Sequence, residues 1–203
     1  MNLANKFTIL RIILSFAIII LLLFPFYAVN VEFPTYLIDG KLLIDSKYII
    51  AGIIFIVASL TDFLDGYIAR KYNMVTDFGK FMDAIADKIL VNSVLIILAS
   101  SNQINPIIAV VIIMRDTIVN TIRMVAASKG KVVAAIKSGK LKTACMMVGL
   151  TLTLFYNLPF ELWNVKVSDF LLITATVLSL ISAVQYYTMN RKLIFEEEIV
   201  RIL

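Results

Sequence analysis

The chain has 203 residues, 61% of them hydrophobic and 16% charged, with a formal net charge of +5. A soluble domain is typically about half apolar and about a quarter charged, so this composition excludes a water-soluble globule and a disordered chain. One cysteine, Cys145, and no histidine exclude an intramolecular disulfide, zinc and haem sites and any Ser-His or Cys-His nucleophile pair; a metal held here must be a hard cation on oxygen ligands, that is magnesium, manganese or calcium.

In chain order, long apolar segments occupy 8–27, 48–70, 79–99, 105–127, 138–157 and 168–189. A helix that spans a bilayer needs about 20 such residues, and backbone groups in lipid must pair within their own segment. The spacing therefore predicts an all-α integral membrane protein with six transmembrane helices in a single domain over 1–203. No small-residue cleavage site follows the first segment, so it is read as a retained helix and not a secretory signal. Polar and turn residues mark the connections, from Pro34 to Ser46, Asn73 to Asp77, Ser100 to Pro106, Lys129 to Lys137 and Asn157 to Lys166.

Six spans put both termini on one side. Of the 19 Lys and Arg, only Lys41, Lys47 and Lys166 fall in loops of the opposite side; the positive-inside rule then makes both termini cytoplasmic. The excess positive charge suits membrane lipid heads and phosphates, not nucleic acid. Trp163, Tyr186 and Tyr187 fit an interfacial aromatic belt, and Phe195–Leu203 reads as a short surface helix.

Ionisable residues inside spans are costly and mark function by default. The second and third segments hold Asp62, Asp65, Arg70, Asp83, Asp87 and Lys88. Asp62 and Asp65 are i, i+3 neighbours and Asp83 and Asp87 i, i+4 neighbours, so each pair shares a helix face. The short loop from Lys71 to Phe78 makes the two helices antiparallel neighbours and brings the pairs together. Four such carboxylates repel unless cations neutralise them. Two divalent ions would do so, as in two-metal phosphoryl-transfer sites; pairing with Arg70, Lys80 and Lys88 is the plainer alternative. Gly66, Ala69 and Gly79 lie within a turn or so of the acids, where small residues let a ligand approach a helix closely, and Arg70 can grip a phosphate bidentately.

Written out, the stretch is Asp62-x2-Asp65-Gly66-x2-Ala69-Arg70-x8-Gly79-x3-Asp83-x3-Asp87. It resembles, without a gap, the signature of the CDP-alcohol phosphotransferases, membrane enzymes of phospholipid synthesis. The resemblance implies a site for two divalent ions, Mg2+ or Mn2+, formed by Asp62, Asp65, Asp83 and Asp87. It also implies that Asp87 is the general base, that Gly66, Ala69, Arg70 and Gly79 contact the CDP part of the donor, and that the enzyme is a homodimer with its active site facing the cytoplasm.

Three further stretches bear on the acceptor. Asn5-Lys6-Phe7-Thr8-x2-Arg11, Arg115-Asp116-x3-Asn120-x2-Arg123 and Gly139-Lys140-Leu141-Lys142-Thr143 are similar to segments of the phosphatidylglycerophosphate synthases within that family. Arg115 and Arg123, about two turns apart, share a helix face, and Lys140 and Lys142 stand at the start of the next helix. Such cations suit an acceptor that carries a phosphate. The resemblance therefore implies transfer from CDP-diacylglycerol to sn-glycerol 3-phosphate, with Arg115, Arg123, Lys140 and Lys142 on the acceptor phosphate. Thr76 matches the same pattern and either binds the donor or caps the third helix. The chain departs from the subfamily at Ala84, where proline is usual, and at Asp116 and Asn120, where glutamate and threonine are; the shorter acid is expected to shift a pairing with Arg115 or Lys140. Other readings are a different acceptor (inositol phosphate, serine or phosphatidylglycerol) and, from another class, a divalent-cation transport path.

Overall fold

The computed structural model describes residues 3–38, 40, 42–71, 77–131, 133–134 and 136–200, with the side chains of 3–4, 63, 65–70, 77–78, 80 and 192–200 left aside. Among the described residues the chain forms α1 (Leu3–Leu23), a hairpin of β1 (Thr35–Ile38) and β2 (Leu42–Asp45), α2 (Ser46–Lys71), α3 (Asp77–Ser100), α4 (Pro106–Ser128), α5 (Lys137–Leu154) and α6 (Val167–Val200). The six helices lie on the six apolar segments. Two differences stand out. The first connection, expected to be a loop, contains the antiparallel hairpin, in which Thr35 pairs with Asp45 and Ile38 with Leu42. The C-terminal stretch, expected to be a separate surface helix, continues α6 to Val200, because no glycine or proline interrupts the chain after Pro159.

Two helices, over Asn5–Leu23 and Val167–Arg191, are long and apolar enough to cross a membrane among the described residues. Both turn large apolar side chains outward: Ile13, Phe16 and Ile20 on α1, and Phe170, Ile173, Val177 and Val184 on α6.

The chain divides into two compact units. The first comprises 1–104 and 150–167. Here α1 buries Thr8, Arg11, Ser15, Ile18 and Leu22, a stripe stepping by three and four residues that keeps to one helix face. That stripe packs on α2 and α3, which among the described residues touch each other less than each touches α1. It is polar at its beginning and apolar at its end, so the ionisable residues collect at one end of α1. Away from them, Gly52 of α2 admits the ring of Phe155, which would stand 2.6 Å from a Cβ at that position. The Tyr156 hydroxyl accepts a hydrogen bond from the Asp45 amide at 3.1 Å and ties the hairpin to the segment after α5.

The second unit comprises 105–149 and 168–203. Its helix α4 begins with Asn105, whose side chain accepts from the Ile107 amide at 3.0 Å, and with Pro106 in the first turn. It buries Ile108, Ile112, Arg115, Val119, Ile122 and Ala126. Helix α6 buries Ser168, Leu172, Ala175, Ser179, Ser182, Tyr186 and Asn190. Gly149 lets α5 meet α6 closely: a Cβ there would lie 2.9 Å from Leu172.

Candidate active site

A buried arginine in an apolar helix must find anionic partners, since stranding its charge costs several kcal/mol. Arg11 of α1 is fully buried. Its Nη1 donates to Asp62 Oδ1 on α2, and its Nη2 donates to Asp83 Oδ1 on α3 at 2.7 Å. One guanidinium thus ties two acids from two different helices. Ser15, one turn further along, donates its hydroxyl to the Arg11 carbonyl at 2.8 Å.

The acids themselves are half-exposed, at 46% for the Asp62 side chain and 50% for that of Asp83. Their Oδ2 atoms take no hydrogen bond or ion pair among the described residues. Asp87, one turn beyond Asp83, is exposed and has no such partner among the described residues either. It lies within electrostatic range of Asp62, Asp83, Arg11 and Lys88. The expected convergence of the two acidic pairs therefore occurs for Asp62 and Asp83, and among the described residues the side chain that joins them comes from α1.

Asp65, Gly66, Ala69 and Arg70 lie on α2, but their side chains fall outside the described residues, and Thr76 falls outside them altogether. Gly79 sits on α3 one turn before Asp83. Among the described residues no group of three or more potential ligands already stands in metal-binding array. The donor set nevertheless fits a hard divalent cation. Two carboxylates on separate helices face one existing cation, each has an open oxygen, and a third carboxylate follows on the same helix.

In the second unit the charges are arranged in the opposite sense. Asp116 accepts from Arg115 Nη1 at 2.8 Å and, through both oxygens, from Lys142 Nζ at 2.8 Å. The Arg115 guanidinium also donates to the Ser182 hydroxyl at 2.6 Å and, from Nε, to the Ser179 carbonyl at 3.3 Å. It lies 5.7 Å from the centroid of the Tyr186 ring, a cation–π distance. Asp116 thus pairs with Arg115, and its other partner is Lys142 and not Lys140. Of the four expected phosphate-binding cations, Arg115 and Lys142 are buried in this network, whereas Arg123 and Lys140 are exposed. One carboxylate is thus shared by two buried cations.

The residue with no assigned part in the sequence-derived site is Arg11. The signal was present: it is the only charged residue between Lys6 and Glu32.

The family model for CDP-alcohol phosphatidyltransferases matches residues 1–186. The chain belongs to this family. Several relatives carry the name CDP-diacylglycerol–glycerol-3-phosphate 3-phosphatidyltransferase. That of Bacillus subtilis (strain 168) is 40% identical over 189 residues, 93% of this chain and 95% of the relative. That of Rickettsia felis is 32% identical over 177 residues, 81% of this chain and 98% of the relative. That of Haemophilus influenzae is 34% identical over 158 residues, 75% and 83% of the two chains. Within this CDP-alcohol phosphatidyltransferase the Arg11–Asp62–Asp83 bridge joins the N-terminal helix to both halves of the aspartate signature.

Proposed function

We propose that the chain transfers the phosphatidyl group of CDP-diacylglycerol to sn-glycerol 3-phosphate, giving phosphatidylglycerophosphate and CMP. The observation that carries this reading is the meeting of Asp62 and Asp83, each with an open oxygen, inside a gapless eight-residue signature. The names of the full-length relatives support the choice of acceptor.

In this reading the acceptor's primary hydroxyl attacks the phosphatidyl phosphorus, a new O–P bond forms, and the P–O bond to CMP breaks with its electron pair leaving on CMP. Two divalent ions, Mg2+ or Mn2+, held by Asp62, Asp65, Asp83 and Asp87, would polarise the donor pyrophosphate and offset the charge on the leaving group. Asp87 takes the hydroxyl proton on its carboxylate. Gly66, Ala69, Arg70, Thr76 and Gly79 receive the CDP moiety, the small residues by allowing close approach and Arg70 by its fork of donors. Arg123 and Lys140, exposed and free to reach a ligand, hold the acceptor phosphate together with Lys142 and Arg115.

The same reading places the whole of 1–203 in one catalytic domain with six spans, both termini and the active site cytoplasmic, the donor's acyl chains in lipid, and the enzyme a homodimer in the cell membrane. The outward apolar faces of α1 and α6 support a lipid surround. The test is CMP release by purified protein in detergent with CDP-diacylglycerol and Mg2+. Release is expected with glycerol 3-phosphate and not with inositol 1-phosphate, serine or phosphatidylglycerol. Release with one of those instead would overturn the acceptor, and no release with any would overturn the reaction.

A further inference from the structure

We propose that Arg11 is the resident counter-cation of the metal-free site: it holds Asp62 and Asp83 facing one another before divalent ions arrive and gives up their Oδ1 atoms as the ions load. This inference rests on the metal-site reading above and assigns a new residue to it. Three observations support it. The guanidinium bridges two acids on two helices. It is fully buried while both carboxylates are half-exposed, so it approaches from within and leaves their outer faces to a ligand. Its helix is the one that packs on both α2 and α3, so the bridge also fixes the spacing of the helices that carry the acids.

The physical consequence is competition. A carboxylate neutralised by a guanidinium attracts a divalent ion less than a bare one, because part of its field is already cancelled. Without Arg11 the two acids repel each other, and a divalent ion relieves that repulsion. Arg11 therefore makes the empty site stable at the cost of weaker metal binding, and it acts as a positioning residue through Asp62 and Asp83.

The experiment measures Mn2+ binding by electron paramagnetic resonance, and thermal unfolding with and without Mn2+, on detergent-solubilised wild type, Arg11→Gln and Arg11→Lys. The Arg11→Gln protein is expected to unfold at lower temperature without metal, to gain more from Mn2+ than wild type, and to bind Mn2+ about fivefold tighter, the scale of one lost partly exposed ion pair. Arg11→Lys, a cation that cannot fork between two acids, should fall between. Equal or weaker Mn2+ binding by Arg11→Gln would overturn the proposal while leaving the metal site intact. No Mn2+ binding by wild type would overturn the metal site and the proposal with it.

Should Arg11→Gln not fold, the wild type still decides. In protein labelled with 15N-arginine, the guanidinium resonance missing from the Arg11→Lys spectrum is expected to move on Mg2+ titration. A resonance unmoved at saturating Mg2+ would show that the pairing persists and would overturn the displacement.

Discussion

The two ionic clusters of this chain are charge-inverted versions of one another. In the first unit one buried cation, Arg11, ties two half-exposed acids; in the second, one acid, Asp116, ties two buried cations, Arg115 and Lys142. Each pairs its buried charges through one shared group, since an ion out of water needs a partner. The two differ in the sign of the group that is shared. The first leaves carboxylate oxygens open among the described residues and so suits cations; the second gathers two cations around one acid. The reaction proposed above, in which a pyrophosphate donor meets a phosphorylated alcohol, would use charge of both signs.

The sharpest way to test that contrast is to remove the acid to which the proposed reaction gives a chemical part, Asp87. Asp87→Asn deletes a carboxylate that no described partner holds, so it should cost ~10²- to 10⁴-fold in CMP release, the usual worth of a general base. The thermal midpoint should stay close to wild type. A variant that loses stability in proportion to activity would show that Asp87 is a strut and not a base.

The next largest effect belongs to the inverted cluster. Asp116→Asn removes the carboxylate that pairs with two buried cations, and breaking a buried pair by removing one partner typically costs about 3–5 kcal/mol. The expected result is a marked drop in thermal midpoint with a raised KM for glycerol 3-phosphate, and partial restoration in Asp116→Glu. Mn2+ binding to whatever fraction remains folded should be unaffected. If Asp116→Asn melts with wild type, the network does not hold the second unit together.

How much of this was legible in the sequence depends on what the physics writes into spacing. The six helices announce themselves because each is an apolar run of membrane length, and the acids stand out because a charge there is anomalous. The hairpin does not. All four residues of β1 are exposed, so no alternation of burial marks it as a strand, and only the Asp39-Gly40 dipeptide between Thr35–Ile38 and Leu42–Asp45 signals a turn. Arg11 was legible only in part: it stands out as the lone charge between Lys6 and Glu32, but the stripe it shares with Thr8, Ser15 and Ile18 mixes polar and apolar residues and does not read as one buried face. That Lys142 and not Lys140 pairs with Asp116 was not legible, because the two residues lie two apart on different faces of α5 and the sequence does not say which face meets α4.

A smaller perturbation separates packing from charge in the second unit. Gly149→Ala adds a methyl 2.9 Å from Leu172 Cδ2 and 3.0 Å from its Cγ, with Leu171 Cβ 3.4 Å away. Leu172 is itself fully buried, so the strain is expected to cost about 1–3 kcal/mol. Thermal unfolding should show it, and the KM for glycerol 3-phosphate should rise if the close α5–α6 approach sets where Lys142 stands. An unchanged KM beside a lowered midpoint would mean that the Asp116 bridge holds Lys142 without help from helix packing.

The least effect is expected from Tyr156→Phe, which acts in the first unit but away from the Arg11 bridge. The lost contact is one hydrogen bond at 3.1 Å from the Asp45 amide, worth about 0.5–1.5 kcal/mol. The ring packing against Tyr48, with centroids 5.8 Å apart, survives the substitution. A small drop in thermal midpoint is expected, with Mn2+ affinity and CMP release unaltered. A change in Mn2+ affinity would mean that the hairpin end of the first unit communicates with the acids, and the two ends of α1 would then have to be treated as one device.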